Sequence, residues 1–242
     1  MPSQAKAAMN QRKHTPPDRP PGNPRRRIPI WAILGIVLLL VVGAGVVYYL
    51  WLMPMDGPIP AGAATRYAAL EQSTTEAGFP RLGRPDAPVV VEEFSSFACP
   101  HCRTFHEERF PALLDEIAAG QVQFIFIPVT HIGWGAKNAA QGALCAGEQG
   151  RFWPMVDTLF FWQGKFVASP FGKRRLENGA KNLGLDTAAF KTCMGDDHPQ
   201  EILARARDEF DRRNLSGTPT LFINGLKVAD YSELDNLGGS AP

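Results

Sequence analysis

Cysteine is scarce in this chain, with four among 242 residues. Cys99 and Cys102 form its one C-x-x-C pair, and the lack of a second pair argues against a zinc site held by four cysteines. Arg103 follows the second cysteine where covalent haem attachment requires histidine, so that function is excluded. The spacing leaves a redox pair, a half zinc site or a plain structural disulfide.

Charge is missing from residues 28–53, which read IPIWAILGIVLLLVVGAGVVYYLWLM. About 20 apolar residues suffice for a helix to cross the hydrocarbon core of a bilayer. Aromatic residues lie near both ends of the run, as they do at membrane–water interfaces. We therefore expect a single transmembrane helix over residues 28–53, in contact with the lipid bilayer. The alternative is a cleaved signal peptide ending at Ala61-Gly62-Ala63, although the apolar core of such peptides is usually only ~7–15 residues.

The distribution of charge sets the expected topology. Residues 1–27 carry seven basic side chains and one acidic side chain, a charge of +6, so the net charge of +1 for the whole chain leaves −5 for the residues after this tail. Because basic segments stay inside, we expect residues 1–27 to be a disordered cytoplasmic tail of a protein in the cytoplasmic membrane. All four cysteines then lie on the oxidising, extracytoplasmic (periplasmic) side. No basic patch with interleaved aromatic residues follows, which argues against nucleic-acid partners.

The C-x-x-C pair lies between a predicted strand and a predicted helix. The apolar run that starts at Val89 predicts a buried strand, and Pro100 is placed as the first residue of a helix that we expect to end at Gly120. The thiolate is the form of cysteine that attacks disulfides, and a helix N-terminus stabilises an anion. Cys99 is therefore the predicted nucleophile, and Cys102 is the predicted resolving thiol. His101 is predicted to adjust the acidity of Cys99.

Further along the chain, residues 122–128 predict a second buried strand, which completes a strand–helix–strand unit with parallel pairing. The pattern is helical over residues 135–214, and Thr220 begins a last strand that ends in an Asn-Gly turn. We interpret residues 54–81 as a tether, because they are rich in Pro, Gly, Ala, Ser and Thr. The tail after Tyr231 allows only a short helix.

Six motifs follow one another between about residues 80 and 230. They are Gly83-x-Pro85-x-Ala87-Pro88, Phe94-Ser-Ser-Phe-Ala-Cys99-Pro-His-Cys102, Phe110-Pro111, Ala143-Leu-Cys145-Ala-Gly-Glu-Gln149-Gly-x-Phe152-Trp153, Leu183-Gly184-Leu185-Asp186 and Gly217-Thr218-Pro219-Thr220. In this order they resemble the DsbA-like branch of the thioredoxin superfamily. The resemblance implies an α/β thioredoxin fold over residues 82–134 and 215–242, with residues 135–214 as an inserted all-helical domain.

The resemblance also implies roles for single residues. Glu93 matches the buried acid of the family, which exchanges a proton with Cys102, and a carboxylate is costly in an apolar strand unless it has a function. Pro219 matches the family's cis-proline beside the active site, and Thr218 then offers its backbone to an extended substrate chain. Phe97 and Trp134 are candidates for an apolar substrate groove.

Cys145 and Cys193 lie near the two ends of the helical insertion. They are candidates for a structural disulfide, with buried free thiols as the alternative.

The resemblance implies a monomeric enzyme that donates disulfides to unfolded exported proteins, and no cofactor or metal beyond the Cys99–Cys102 disulfide. A membrane-embedded redox partner of the DsbB or VKOR type would reoxidise this pair. A reductase or isomerase kept reduced by a membrane electron donor, and a thiol-based metal carrier or assembly factor, are the alternative functions.

Overall fold

The computed structural model describes residues 29–49, 56–167, 169–235 and 237 of the chain. The chain divides into two compact units, Met1–Ala44 and Gly45–Pro242. The disordered tail expected over residues 1–27 lies outside the described residues, as do residues 238–242 at the end of the expected thioredoxin-fold domain.

The uncharged N-terminal run forms a helix, α1, over Ile30–Val47. None of its 18 residues is buried. At a rise of about 1.5 Å per residue the helix is roughly 27 Å long, close to the ~30 Å thickness of a bilayer's hydrocarbon core. Among the described residues, α1 is therefore the one helix that is both long enough and apolar enough to cross a membrane. Residue 28 and residues 50–53 of the expected span lie outside the described part of the chain.

The second unit is built on one sheet of six strands. These are β1 (Gln72–Thr74), β2 (Pro80–Leu82), β3 (Val89–Ser95), β4 (Val122–Pro128), β5 (Thr220–Ile223) and β6 (Leu226–Lys227), in the spatial order β1-β2-β4-β3-β5-β6. β3 and β4 pair in parallel, as the strand–helix–strand pattern predicts, and the other neighbours are antiparallel. All seven residues of β4 are buried, which explains its continuous apolar sequence.

Residues 72–74 and 80–82 form β1 and β2 of this sheet, so the tether expected over residues 54–81 is wrong from residue 72 onwards. β1 and β2 pair with each other, and β2 continues onto β4. Upstream of them, Tyr67 is 1% exposed, and the indole Nε1 of Trp162 donates a hydrogen bond to the carbonyl oxygen of Pro58 at 2.7 Å. A few buried contacts thus hold a segment whose composition is that of a linker.

Two helices, α2 (Pro100–Glu108) and α3 (Phe110–Ala118), connect β3 to β4. The single helix expected from Pro100 to Gly120 is therefore wrong. Its break lies at Arg109, which has φ −113° and ψ −46°. Pro111 follows within the first turn of α3, where it has no N–H to donate and its ring crowds the carbonyl four residues earlier.

Five helices between β4 and β5 form the predicted helical insertion. They are α4 (Ala136–Gly147), α5 (Phe152–Lys165), α6 (Lys173–Asn182), α7 (Thr187–Cys193) and α8 (His198–Arg212). α5 packs on both α2 and α4, and α8 packs on α4 and β4. The insertion thus shares one hydrophobic core with the sheet.

The chain after the insertion returns to the sheet beside β3. β5 pairs with β3, and Asn224 and Gly225, with φ of 49° and 79°, make the predicted tight turn into β6. The described C-terminal helix is one 3₁₀ turn over Tyr231–Leu234, which Asp230 caps.

Candidate active site

Cys99 lies where β3 leads into α2. It is the N-cap residue of that helix, in extended geometry with φ −90° and ψ 120°, and Pro100 follows in the first helical turn as predicted. Cys99 is 7% exposed, and its sulfur lies 3.1 Å from the carbonyl oxygen of Thr218, to which the thiol donates a hydrogen bond when it is protonated. Cys99 and Cys102 are both free thiols, so the structure shows the reduced state of the pair.

The surroundings of Cys99 lower its pKa to about 5. The largest cause is the hydrogen bond from the Cys102 thiol, supplemented by the Thr218 side chain and by the backbone N–H groups of Cys102 and His101, while burial acts in the opposite direction. The imidazole of His101 is exposed, so this residue acts on Cys99 through its backbone. A thiol with such a pKa is ionised at neutral pH and ready to attack or to leave.

Cys102 has the opposite character. It is fully buried one turn into α2, and its sulfur accepts a hydrogen bond from the backbone N–H of Ser96 at 3.4 Å. Burial raises the pKa of Cys102, and the sulfur of Cys99 and the negative charge of Glu93 raise it further. In the reduced pair, Cys99 therefore holds the negative charge and Cys102 holds the proton.

Glu93 is fully buried in β3, between Phe126 of β4 and Leu221 of β5. Its Oε2 lies 2.8 Å from Nε2 of His106 on α2, whose side chain is 3% exposed. Oε1 of Glu93 and Nδ1 of His106 have no hydrogen-bond partner in the part of the chain that the structure describes. The buried acid that the sequence predicts is thus one half of a buried acid–imidazole pair beneath Cys102.

His106 is the residue of this site that sequence reasoning missed. The sequence feature that could have identified it is its spacing. His106 follows Cys102 by four residues, so the two share the buried face of α2. Glu92, the neighbour of Glu93, points to the other face of the sheet, where Arg213 donates two hydrogen bonds to its carboxylate at 2.8 and 2.9 Å.

The peptide bond between Thr218 and Pro219 is cis, as the resemblance implies. The loop that contains it immediately precedes β5, and β5 pairs with β3. This pairing brings the backbone of Thr218 next to the sulfur of Cys99.

Phe97 does not line a substrate groove, and that expectation is wrong. It is 1% exposed and stacks between Phe126 and Phe160, with ring centroids 5.2 and 5.1 Å away. The turn that carries Phe97 points the ring into the core between β4 and α5, so it supports the site from beneath.

Trp134, the other candidate, is 77% exposed. It lines a cleft of about 360 Å³ together with Phe171. Its loop is held beside the active site at Gly133, where a Cβ atom would lie 2.5 Å from that of Ala98, the residue before Cys99.

Cys145 and Cys193 form a disulfide with an S–S distance of 2.06 Å. It joins α4 to the end of α7, and both residues are buried. The pairing considered from the sequence is therefore present, and the cysteines with C-x-x-C spacing are free thiols.

Comparison with known proteins agrees with this geometry. The family described as Thioredoxin matches residues 75–239, and the chain therefore belongs to the thioredoxin family. Within that family its fold is DsbA-like. The structure of oxidised BdbD from Bacillus subtilis superposes with a TM-score of 0.61 at 24% identity, covering 71% of this chain and 94% of that one. The structure of alpha-DsbA1 from Wolbachia pipientis gives a TM-score of 0.58 at 22% identity, covering 69% and 90%.

Proteins related to this chain by sequence include disulfide bond formation proteins and an antiporter. Probable disulfide bond formation protein D of Bacillus anthracis is 35% identical over 162 residues, which cover 63% of this chain and 73% of the relative. Na(+)/H(+) antiporter NhaA 1 of Salinispora arenicola is 34% identical over 145 residues, 60% of this chain, but the chain spans only 21% of the antiporter's length.

Proposed function

We propose that the protein is a thiol–disulfide oxidoreductase that donates the Cys99–Cys102 disulfide to exported proteins. The observation that carries this proposal is the contrast between the two thiols. Cys99, at the start of α2, has its pKa lowered to about 5, whereas burial raises the pKa of Cys102. Stabilisation of the Cys99 thiolate favours the reduced pair, which makes the oxidised pair a stronger oxidant.

The proposed reaction has two exchanges. A substrate thiolate attacks the Cys99 sulfur of the oxidised pair, which breaks the Cys99–Cys102 bond and leaves Cys102 as a thiolate that takes up a proton. A second substrate thiolate attacks the substrate sulfur of the mixed disulfide and releases Cys99 as a thiolate. Two electrons pass from substrate to enzyme, and a membrane-embedded partner removes them to restore the disulfide.

Substrate recognition is proposed to rest on backbone contacts and an apolar cleft. Thr218 presents its backbone beside Cys99, so an unfolded chain can pair with it in extended form with little sequence preference. The exposed indole of Trp134 offers apolar surface next to the same site. This arrangement suits a donor that acts on many unfolded substrates.

We also propose that α1 is a retained anchor that holds this domain outside the cytoplasm. Its length, its lack of charge and the seven basic residues before it support that topology. The disulfide between Cys145 and Cys193 supports an oxidising compartment.

Transfer of the disulfide tests the function directly. The oxidised chain is mixed with a reduced, unfolded protein that needs disulfides, and free thiols on both are counted by maleimide labelling. We expect the substrate to lose two thiols for each pair that the enzyme gains, and a Cys99→Ala variant to transfer none. An enzyme that stays oxidised beside an excess of reduced substrate would refute the proposal.

A further inference from the structure

A cleft of about 240 Å³ lies beside His106. Arg66, Asp157 and Phe160 also line it, whereas neither Cys99 nor Cys102 does. The imidazole of His106 therefore contacts Glu93 through Nε2 and borders a space that the reacting sulfurs do not share.

Charged groups surround this cleft. Asp157 on α5 accepts hydrogen bonds from the Tyr67 hydroxyl at 2.6 Å and from Nη1 of Arg66 at 3.0 Å, and it interacts favourably with a positive charge on His106. Glu107 of α2 also lines the cleft. Together with Glu93 of β3, these groups are the charged neighbours of His106 among the residues that the structure describes.

Packing fixes the position of the His106 ring. Its centroid lies 4.5 Å from that of Phe160, with 26° between the ring planes, and 4.9 Å from that of Phe110. Because the ring is held between aromatic neighbours, Nε2 keeps its place at Glu93. Nδ1, which is buried and has no hydrogen-bond partner among the described residues, is left as the second proton-carrying atom.

Thiol–disulfide exchange requires Cys102 to lose and regain a proton although it is fully buried. Glu93 can hold that proton, but Glu93 is itself 0% exposed and has apolar neighbours on both adjacent strands. A buried acid can give or take one proton in one half-reaction. It must then exchange a proton with water before it can act in the next half-reaction.

We propose that His106 carries protons between Glu93 and the water-accessible cleft at Asp157, an inference that rests on the proposed chemistry of Cys99 and Cys102. When Cys102 leaves as a thiolate, Glu93 gives it a proton, His106 passes its Nε2 proton to Glu93, and a proton from the cleft adds to Nδ1. When Cys102 attacks, each transfer runs in reverse and one proton leaves through the cleft. His106 is thus a proton-transfer residue on a path that bypasses Cys99.

Reaction of the reduced full-length chain with one equivalent of Ellman's reagent separates the two thiols. The first thionitrobenzoate is released when Cys99 attacks the reagent. The second is released when Cys102 loses its proton and attacks the Cys99 sulfur. His106→Gln should slow the second release about ten-fold at neutral pH and leave the first within about two-fold, since relayed proton transfer affects only the second.

Two results distinguish a relay from a merely structural role. Free imidazole should restore the second release in a His106→Ala variant, whose truncated side chain leaves the place of the ring vacant, and His198→Gln, at an exposed histidine of α8, should leave both releases unchanged. In the unaltered chain, deuterium oxide should slow the second release about two-fold more than the first.

The relay is refuted if the second release in His106→Gln is normal, if both releases slow equally, or if imidazole gives no recovery. It is also refuted if the unaltered chain shows no isotope effect on the second release, a measurement that does not depend on the folding of a variant. A chain that releases no thionitrobenzoate at all would refute the proposed function together with the relay.

Discussion

The sulfur of Cys99 lies 3.1 Å from the carbonyl oxygen of Thr218, although 119 residues separate the two in the chain. The whole helical insertion lies between them, and the chain returns after it to pair β5 with β3. The insertion therefore leaves the thioredoxin sheet intact and places the sulfur of Cys99 beside the backbone of Thr218.

The first prediction concerns the acidity of Cys99. Thiolate absorbance of the reduced chain should titrate with a midpoint near about 5, well below the ~8.5 of free cysteine, and Cys102 should stay protonated through neutral pH. Cys99→Ser should lack this transition. A midpoint at the ordinary cysteine value would contradict the geometry described here.

The same shift predicts how stability depends on pH. Because folding lowers the pKa of Cys99, its thiolate stabilises the reduced protein above the ordinary cysteine pKa, and this stabilisation is lost as pH falls towards about 5. The melting temperature of the reduced chain minus that of the oxidised chain should therefore fall between pH 8 and pH 5. A difference that grows over that range would have the wrong sign.

Much of this site could be predicted from the sequence because its signals are local. The apolar run of β3, the proline at the start of α2 and the C-x-x-C spacing lie within a few residues of one another, so they predict the place of Cys99. The break at Arg109 was missed, because the apolar stripe continues through it although Pro111 interrupts the hydrogen bonding.

Contacts between distant segments could not be predicted in this way. The strands β1 and β2 have three residues each, too few for an alternating pattern, and their pairing depends on β4. Glu93 and His106 lie on different elements and meet only after α2 packs on the sheet. The sequence around Phe97 did not indicate whether its aromatic ring faces the core or the solvent.

The second prediction concerns the resolving thiol. Cys102→Ala leaves Cys99 able to attack but removes the buried thiol that would break the mixed disulfide, so covalent enzyme–substrate adducts should accumulate in cells. They should separate on reduction, and Cys99→Ala in the same background should abolish them. Adducts that persist without Cys99 would assign the nucleophile to another residue.

The third prediction is that the Cys145–Cys193 disulfide stabilises the protein and takes no part in turnover. Its cysteines are 48 residues apart, which in the chain-entropy model corresponds to at most about 4 kcal/mol. Replacing both by Ala should lower the melting temperature by several degrees and leave disulfide transfer intact. A double variant that is stable but inactive would place this pair on the electron path.

The fourth prediction concerns the proposed anchor. Protease added to intact spheroplasts should digest the catalytic domain and spare an epitope placed in residues 1–27, because α1 keeps that tail inside. Permeabilised cells provide the control in which the tail is digested too. A soluble mature form that begins near Ala64 would show that the apolar segment is a cleaved signal.

The reduction potential of the Cys99–Cys102 pair tests the central claim most directly. The full-length chain is equilibrated with glutathione buffers, and the oxidised fraction is read by alkylation and mass measurement. Stabilisation of the Cys99 thiolate predicts a potential above about −180 mV, nearer the ~−120 mV of strong disulfide donors than the ~−270 mV of thioredoxin. A potential at or below about −270 mV would contradict the account and identify a reductase.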